Sequence, residues 1–207
     1  MRSLNFLAVL AAAALLPTPA AAAAMGDCVS AYFSAQADAE IARDYLASGT
    51  DALQRARMPD VATVAGACLP SGKGRTMEDT LRITSVMTGH WLKVGAGAAI
   101  VQRHKLTSAQ LDSAWKSLPA VHRARFSRVG KADAQSTEAM IAFIHAARPD
   151  IPAAKLTMLR TEDSAQPSAE IKPLVALIKD FTAYGIGRGM VESPELIDIS
   201  LPDSSSH

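Results

Sequence analysis

Apolar side chains recur at helical spacing along most of this chain. From Val29, the positions Phe33, Ala37, Ile41 and Tyr45 follow every four residues, with Tyr32 beside them, so they share one helix face. Asp27 stands where an N-cap belongs and Gly49 where a C-terminal glycine does, which predicts a helix over 28–48. Thr50 or Asp51 starts a short helix that stops before Pro59, and Pro59 heads another over 59–68. Leu69-Pro70-Ser71-Gly72-Lys73-Gly74 reads as a loop. Thr76 then caps a long segment whose stripe is Ile83, Met87, Trp91, Val94, Ala98 and Val101. Gly89, Gly95 and Gly97 interrupt it, each costing about 1 kcal/mol against alanine. They predict a kink or break, or a helix crossing so close that only small residues fit.

Thr107-Ser108-Ala109-Gln110 matches a capping box and opens a helix with Leu111, Trp115 and Leu118 on one face. Pro119 restarts a helix that runs to about Val129. Another spans 137–147 with Met140, Ile141 and Ile144 inward, and Pro152 begins a short one. The last runs from about Ser168 to Tyr184, with Ile171, Leu174, Val175, Ile178 and Phe181 buried and Gly185 ending it. Past residue 190 the period changes. Ile197, Ile199 and Leu201 alternate with Asp198 and Ser200, the spacing of an extended segment that lies over the helices or pairs with a partner or a second copy. The pattern as a whole predicts an all-α, single-domain helical bundle of about six to eight helices over 25–189, followed by an extended tail over 190–207. No internal repeat or linker divides it.

The first 24 residues follow a different plan. Arg2 precedes an apolar run from Leu4 to Leu16 broken only by Asn5, then Pro17 and Pro19, then Ala20 to Ala24 with several small-x-small sites. That is the layout of a secretory signal peptide over 1–24, with cleavage expected after Ala24 or Ala22. The run is too short for the ~20 residues of a membrane span. Cys28 follows Met25-Gly26-Asp27 and makes a poor lipidation site, so the expected product is periplasmic or secreted, with no transmembrane anchor after cleavage. In an oxidising compartment the only two cysteines, Cys28 and Cys68, read as one disulfide. Neither belongs to C-x-x-C, which argues against a thioredoxin-like role.

Charge adds a candidate surface. The formal net charge of +1 falls to about 0 without Arg2, yet 103–131 holds seven bases and one acid (net +6), 160–207 four bases and eight acids (net −4), and 27–60 three bases and six acids (net −3). The basic stretch is either a solvated face balanced by the acidic ends or a site for an anionic partner. In the second case Arg103, Lys105, Arg123, Arg125, Arg128 and Lys131 are the residues that would hold it.

Catalytic motifs are scarce. Asn5 is the sole asparagine, so the mature chain lacks N-glycosylation sequons and any asparagine-dependent mechanism. Ser71-Gly72-Lys73-Gly74 lacks the spacing and the Ser/Thr of a phosphate loop, and Gly95-Ala96-Gly97 is half a dinucleotide fingerprint with Ile100 at the third glycine position. Ser113-Ala114-Trp115-Lys116 fits S-x-x-K without the S-D-N and K-T-G that penicillin-binding enzymes also need. The five histidines form no metal motif; the spacing of Met87 and His90 fits one helix face, as in a soft copper site, but reads as a structural methionine beside a partly exposed histidine. Glu78-Asp79 and Glu162-Asp163 sit near helix starts, where the macrodipole accounts for them. No catalytic residue, metal ligand or cofactor follows from these patterns, and no nucleic acid is expected as partner.

Cys28 opening a helix, then Ala67-Cys68-Leu69-Pro70-x-Gly72, then a capped helix from Thr76 with Leu81, resembles the type VI secretion amidase-immunity family over residues 28–94. The resemblance implies a small, periplasmic, helical, disulfide-stapled protein that plugs the active site of a cell-wall amidase. The chain departs from it by about 110 further residues without another cysteine, and no inhibitory residue carries over. The expectation is therefore a periplasmic or secreted non-enzymatic protein that binds an envelope protein or an anionic envelope component. The alternative is an enzyme acting on cell-wall material through carboxylates or histidines that share no local motif.

Overall fold

The computed structural model describes residues 19–69, 76–128, 134–158 and 172–197, with side chains from Ala24 onward, Met158 excepted. All regular structure among these residues is helical. In chain order the α-helices are α1 (Pro19–Ser30), α2 (Ala35–Ser48), α3 (Val61–Cys68), α4 (Met77–His104), α5 (Ser108–Ser117), α6 (Ala120–Ser127), α7 (Ala134–Ala147), α8 (Ala153–Met158) and α9 (Lys172–Glu192). Single 3-10 segments follow α2 (Gly49–Arg55) and α9 (Pro194–Leu196). These form the expected all-α bundle, with nine α-helices among the described residues.

Side-chain caps fix several starts. Asp60 accepts from the Thr63 amide at 2.8 Å, and Thr76 with Asp79 and Thr107 with Gln110 each form a reciprocal capping box. Gly49, at φ 59°, ends α2 in a conformation that favours glycine. One expected helix is two. Ser34, not Asp27, caps α2, accepting from the Ala37 amide at 3.1 Å. The Val29-Phe33-Ala37 stripe survives the break at 31–34 because Tyr32 and Phe33 turn there with i to i−3 hydrogen bonds and Phe33 stays buried. Cys28 accordingly lies in the last turn of α1, where it forms the expected disulfide with Cys68 at the end of α3, Cα–Cα 5.7 Å. Closing a 40-residue separation is worth about 4 kcal/mol by chain entropy. Met25 is buried while Ala24 is exposed, so the core takes up α1 from Met25 onward.

The pairing of α4 with α9 is the axis of the fold. The glycines of α4 neither break nor end it; they admit neighbours. A β-carbon at Gly89 would lie 2.6 Å from Met190 Cβ, and one at Gly187 would lie 2.5 Å from the Gly89 carbonyl oxygen. Gly185 likewise does not end the last helix, which continues to Glu192, beyond the boundary expected at 189. Gly185 and Gly189 face α6, where a β-carbon would meet the Phe126 ring at 2.5 Å and the Ser127 amide at 2.8 Å. Close backbone approach on two sides holds the glycine-rich segment helical against its propensity. Around this axis α1, α2 and α3 pack on α4, α6 and α7 pack on α9, and α5 and α8 pack on α7. Trp115, Phe126, Phe143, Phe181 and Tyr184 form a continuous aromatic core with centroid separations of 5.1–6.0 Å. In the expected tail Ile197 is buried; Ile199 and Leu201 lie outside the described residues.

Candidate functional site

The end of α4 delivers three consecutive basic side chains in different directions. Lys105 caps the helix in the left-handed conformation, φ 59° and ψ 31°, the only non-glycine with positive φ among the described residues. That turn sends Leu106 into the core and leaves Lys105 exposed, while Arg103 and His104 point back toward α9. Asp180 of α9 receives them. It is 3% exposed, and its Oδ2 lies 3.0 Å from His104 Nε2 and accepts from Arg103 Nη1 at 3.4 Å. Its Oδ1 accepts from the Tyr45 hydroxyl at 3.3 Å. A second guanidinium nitrogen of Arg103 donates to the Leu46 carbonyl at 2.5 Å. Burial, and then the charge of Asp180, push the Tyr45 hydroxyl well above its ordinary value, so it remains a donor. The buried carboxylate is thus surrounded by donors from α2 and α4, as its desolvation requires.

In front of this cluster lies an open cleft of about 880 Å³ between the ends of α4 and α7, the short α8 and the start of α9. Arg103, Lys105, Arg148 and Lys155 line it against a single carboxylate, Asp150. Arg148 clasps Asp150 with two hydrogen bonds of 2.7 and 2.6 Å. That bond holds the Asp150 carboxyl below its ordinary pKa. His104 lines the cleft as well, and its bond to Asp180 through Nε2 orients the ring. Leu106 and Leu177 form a buried floor, with Ile151 and Leu174 half-exposed on it. Four cations and one carboxylate give the lining a formal charge of +3, or +2 when Asp180 behind it is included. No serine, threonine, cysteine or tyrosine is among the described residues lining it. The lining is net positive and, among the described residues, offers no side-chain hydroxyl or thiol nucleophile. A second cavity, about 520 Å³, lies on the other side of Arg103, with Arg103 and Lys179 against Asp51 and Asp180, and is close to neutral.

The basic residues singled out by sequence divide in two. Arg103 and Lys105 line the cleft. Arg123 instead turns inward, donating to the Leu118 and Lys116 carbonyls at 2.7 and 3.2 Å and tying α6 to the end of α5. Arg125 is half-buried on α6 and Arg128 is exposed at its end; none of these three lines the cleft, and Lys131 lies outside the described residues. His104, Arg148, Lys155 and Asp180 join the site without a local motif. Asp180 does carry a sequence signal, an acid on the inward face that also holds Leu177, Phe181 and Tyr184.

Met87 and His90 are both buried. His90 Nε2 bonds Asp38 at 2.9 Å and the ring stacks on Phe33 at 4.2 Å. Among the described residues no group of three or more His, Cys, Asp or Glu side chains is placed to hold a metal ion, and no helix is long and apolar enough to cross a membrane. No protein-family model, curated protein or solved structure matches the chain.

Proposed function

We propose that the chain is an exported, non-enzymatic binding protein that captures an anionic envelope component in the cleft between α4, α7, α8 and α9. The observation that carries this reading is the convergence of Arg103, Lys105, Arg148 and Lys155 on one open cleft against Asp150 alone. A solvated face would scatter such charges; here four come from three helix ends and share one concavity. The absence of a hydroxyl or thiol among the described lining residues favours capture over covalent chemistry. Export rests on the apolar run at 4–16, the alanine-rich cleavage region and the Cys28–Cys68 disulfide.

The test is calorimetric titration of the purified protein with inorganic phosphate and with acidic and neutral lipids, at low and high salt. Anion binding weakened by salt and lost in the Lys105→Glu/Lys155→Glu double variant supports the reading. Unchanged binding in that variant, with its helical circular dichroism intact, overturns it. N-terminal sequencing of exported protein tests the address; a product beginning at Met25 is expected, and one beginning at Met1 overturns export.

A further inference from the structure

The polar and apolar parts of the cleft are not mixed. Arg103 is committed to Asp180 and the Leu46 carbonyl, and Arg148 is committed to Asp150. Among the described residues Lys105 and Lys155 carry no ion pair, and both are exposed. Two uncommitted ammonium groups therefore face the opening, a match in charge for one phosphate monoester. Beside them Ile151 and Leu174 are half-exposed over the buried Leu106 and Leu177. Pro149, Pro152 and Pro173 fix φ in the segments that frame this strip and offer no backbone donor, so the strip is stiff and apolar. A free phosphate would use the lysines and leave the strip wet. A ligand that carries a hydrocarbon chain beside its phosphate uses both.

We propose that the cleft binds a single-chain phosphate amphiphile of the lysophosphatidate type, the headgroup between Lys105 and Lys155 and the chain along Ile151 and Leu174. This rests on the anion-capture reading above and narrows it to one ligand chemistry. The cleft volume of about 880 Å³ is that of a small-molecule site, roughly 300–1,000 Å³. Each methylene that the strip removes from water strengthens binding by up to about fourfold. The gain ends where the chain outgrows the strip.

The experiment is isothermal titration of the intact mature protein with monomeric lysophosphatidates of increasing chain length. Lysophosphatidylcholine of matched chain, inorganic phosphate and a polyglutamate peptide are the comparators. The expected result is affinity that climbs with chain length and then levels, and at least tenfold preference over the choline ester. Lys105→Gln/Lys155→Gln should lower lysophosphatidate affinity at least tenfold. Leu174→Asp should flatten the chain-length series while inorganic phosphate still binds; because the series needs no variant, a Leu174 variant that unfolds does not remove the test. Inorganic phosphate binding as tightly as the longest lipid overturns the amphiphile and leaves anion capture standing. So does binding of polyglutamate without binding of the lipid. Equal affinity for the choline ester removes charge selection, and binding of none of the four removes both readings.

Discussion

Two buried charges sit on α9, eight residues apart, and each solves the same problem with the opposite sign. Asp180 is a carboxylate surrounded by Arg103, His104 and Tyr45. Arg188 is a guanidinium held by Glu192 at 2.5 Å, by Asp112, and by the Tyr184 hydroxyl at 2.9 Å, with its carbon 5.4 Å from the Trp115 ring centre. Glu192 also accepts the Trp115 indole N–H at 2.8 Å, which closes that cluster on itself. The Arg188 group is a strut between α5 and α9 whose one cation is matched by two carboxylates of its own cluster, although its Asp112 and Tyr184 also line a cavity of about 450 Å³. The Asp180 group instead borders the basic cleft, which Arg103 and His104 line together with Lys105, Arg148 and Lys155. The contrast is between a polar cluster whose charges balance one another and one that borders a surplus of cations.

The largest effect should come from breaking the closed cluster. Arg188→Met strands Glu192 and Asp112 and removes the cation from the Trp115 face. Breaking a buried pair costs about 3–5 kcal/mol, and the low end applies because the two carboxylates are 43% and 51% exposed. A urea midpoint shift equivalent to about 3 kcal/mol is expected, with ligand affinity at the cleft unchanged. A shift under about 1 kcal/mol would show that the closed cluster is not a strut.

Asp180→Asn acts on the open cluster and should read differently. The amide keeps the shape and loses charge-assisted bonds, so about 1–2 kcal/mol of stability goes. The cleft meanwhile loses the negative charge behind it, and anion affinity should rise about fivefold at low salt and less at high salt. Stability and affinity moving down together would mean that Asp180 shapes the cleft and its charge is incidental.

What could be read in advance follows from which interactions are local. Capping boxes at Thr76 and Thr107 join residues three apart, and the cysteine pair was the only one available, so these stand in the sequence as they stand in the fold. Gly185 looked like a helix end because a glycine has the same signature at a C-terminus and at a tight crossing; only the Phe126 ring beside it distinguishes them. The break before Ser34 was hidden because the apolar stripe keeps its spacing across it. The cleft was half legible. Arg103 and Lys105 belong to a basic run, but Arg148 and Lys155 join them from just past α7 and from α8, and no spacing rule spans that distance. The same run suggested Arg123 as a partner site, whereas one nitrogen of its guanidinium is bonded to two backbone carbonyls at the end of α5 and the residue lies off the cleft.

Lys105 sharpens the contrast further, because stability and function should pull apart there. Its left-handed backbone costs a non-glycine residue about 1–2 kcal/mol, offset in part by the greater freedom of an unfolded glycine. Lys105→Gly should therefore stabilise the fold by about 0.5–1 kcal/mol and weaken anion binding in the same protein. Thermal unfolding and titration measure the two. A variant that is more stable and binds equally well would show that the lysine at this cap serves neither purpose.

The smallest effect concerns a third buried polar group, which lies outside both clusters. His90 is 5% exposed, stacked on Phe33 and bonded to Asp38 through Nε2, and its Nδ1 has no partner among the described residues. Burial lowers its pKa from 6.5; the Asp38 bond and charge oppose that, and Lys93 adds to it. The unfolded chain therefore binds a proton more readily than the folded one, and stability is lost as pH falls from about 6.5 toward the lower folded value, with no contribution from this group above 6.5. His90→Gln keeps a polar group beside Asp38 and removes the titration. Urea midpoints at pH 5.5 and 7.5 should differ less in the variant than in the parent. A slope that survives the substitution places the acid-sensitive group elsewhere.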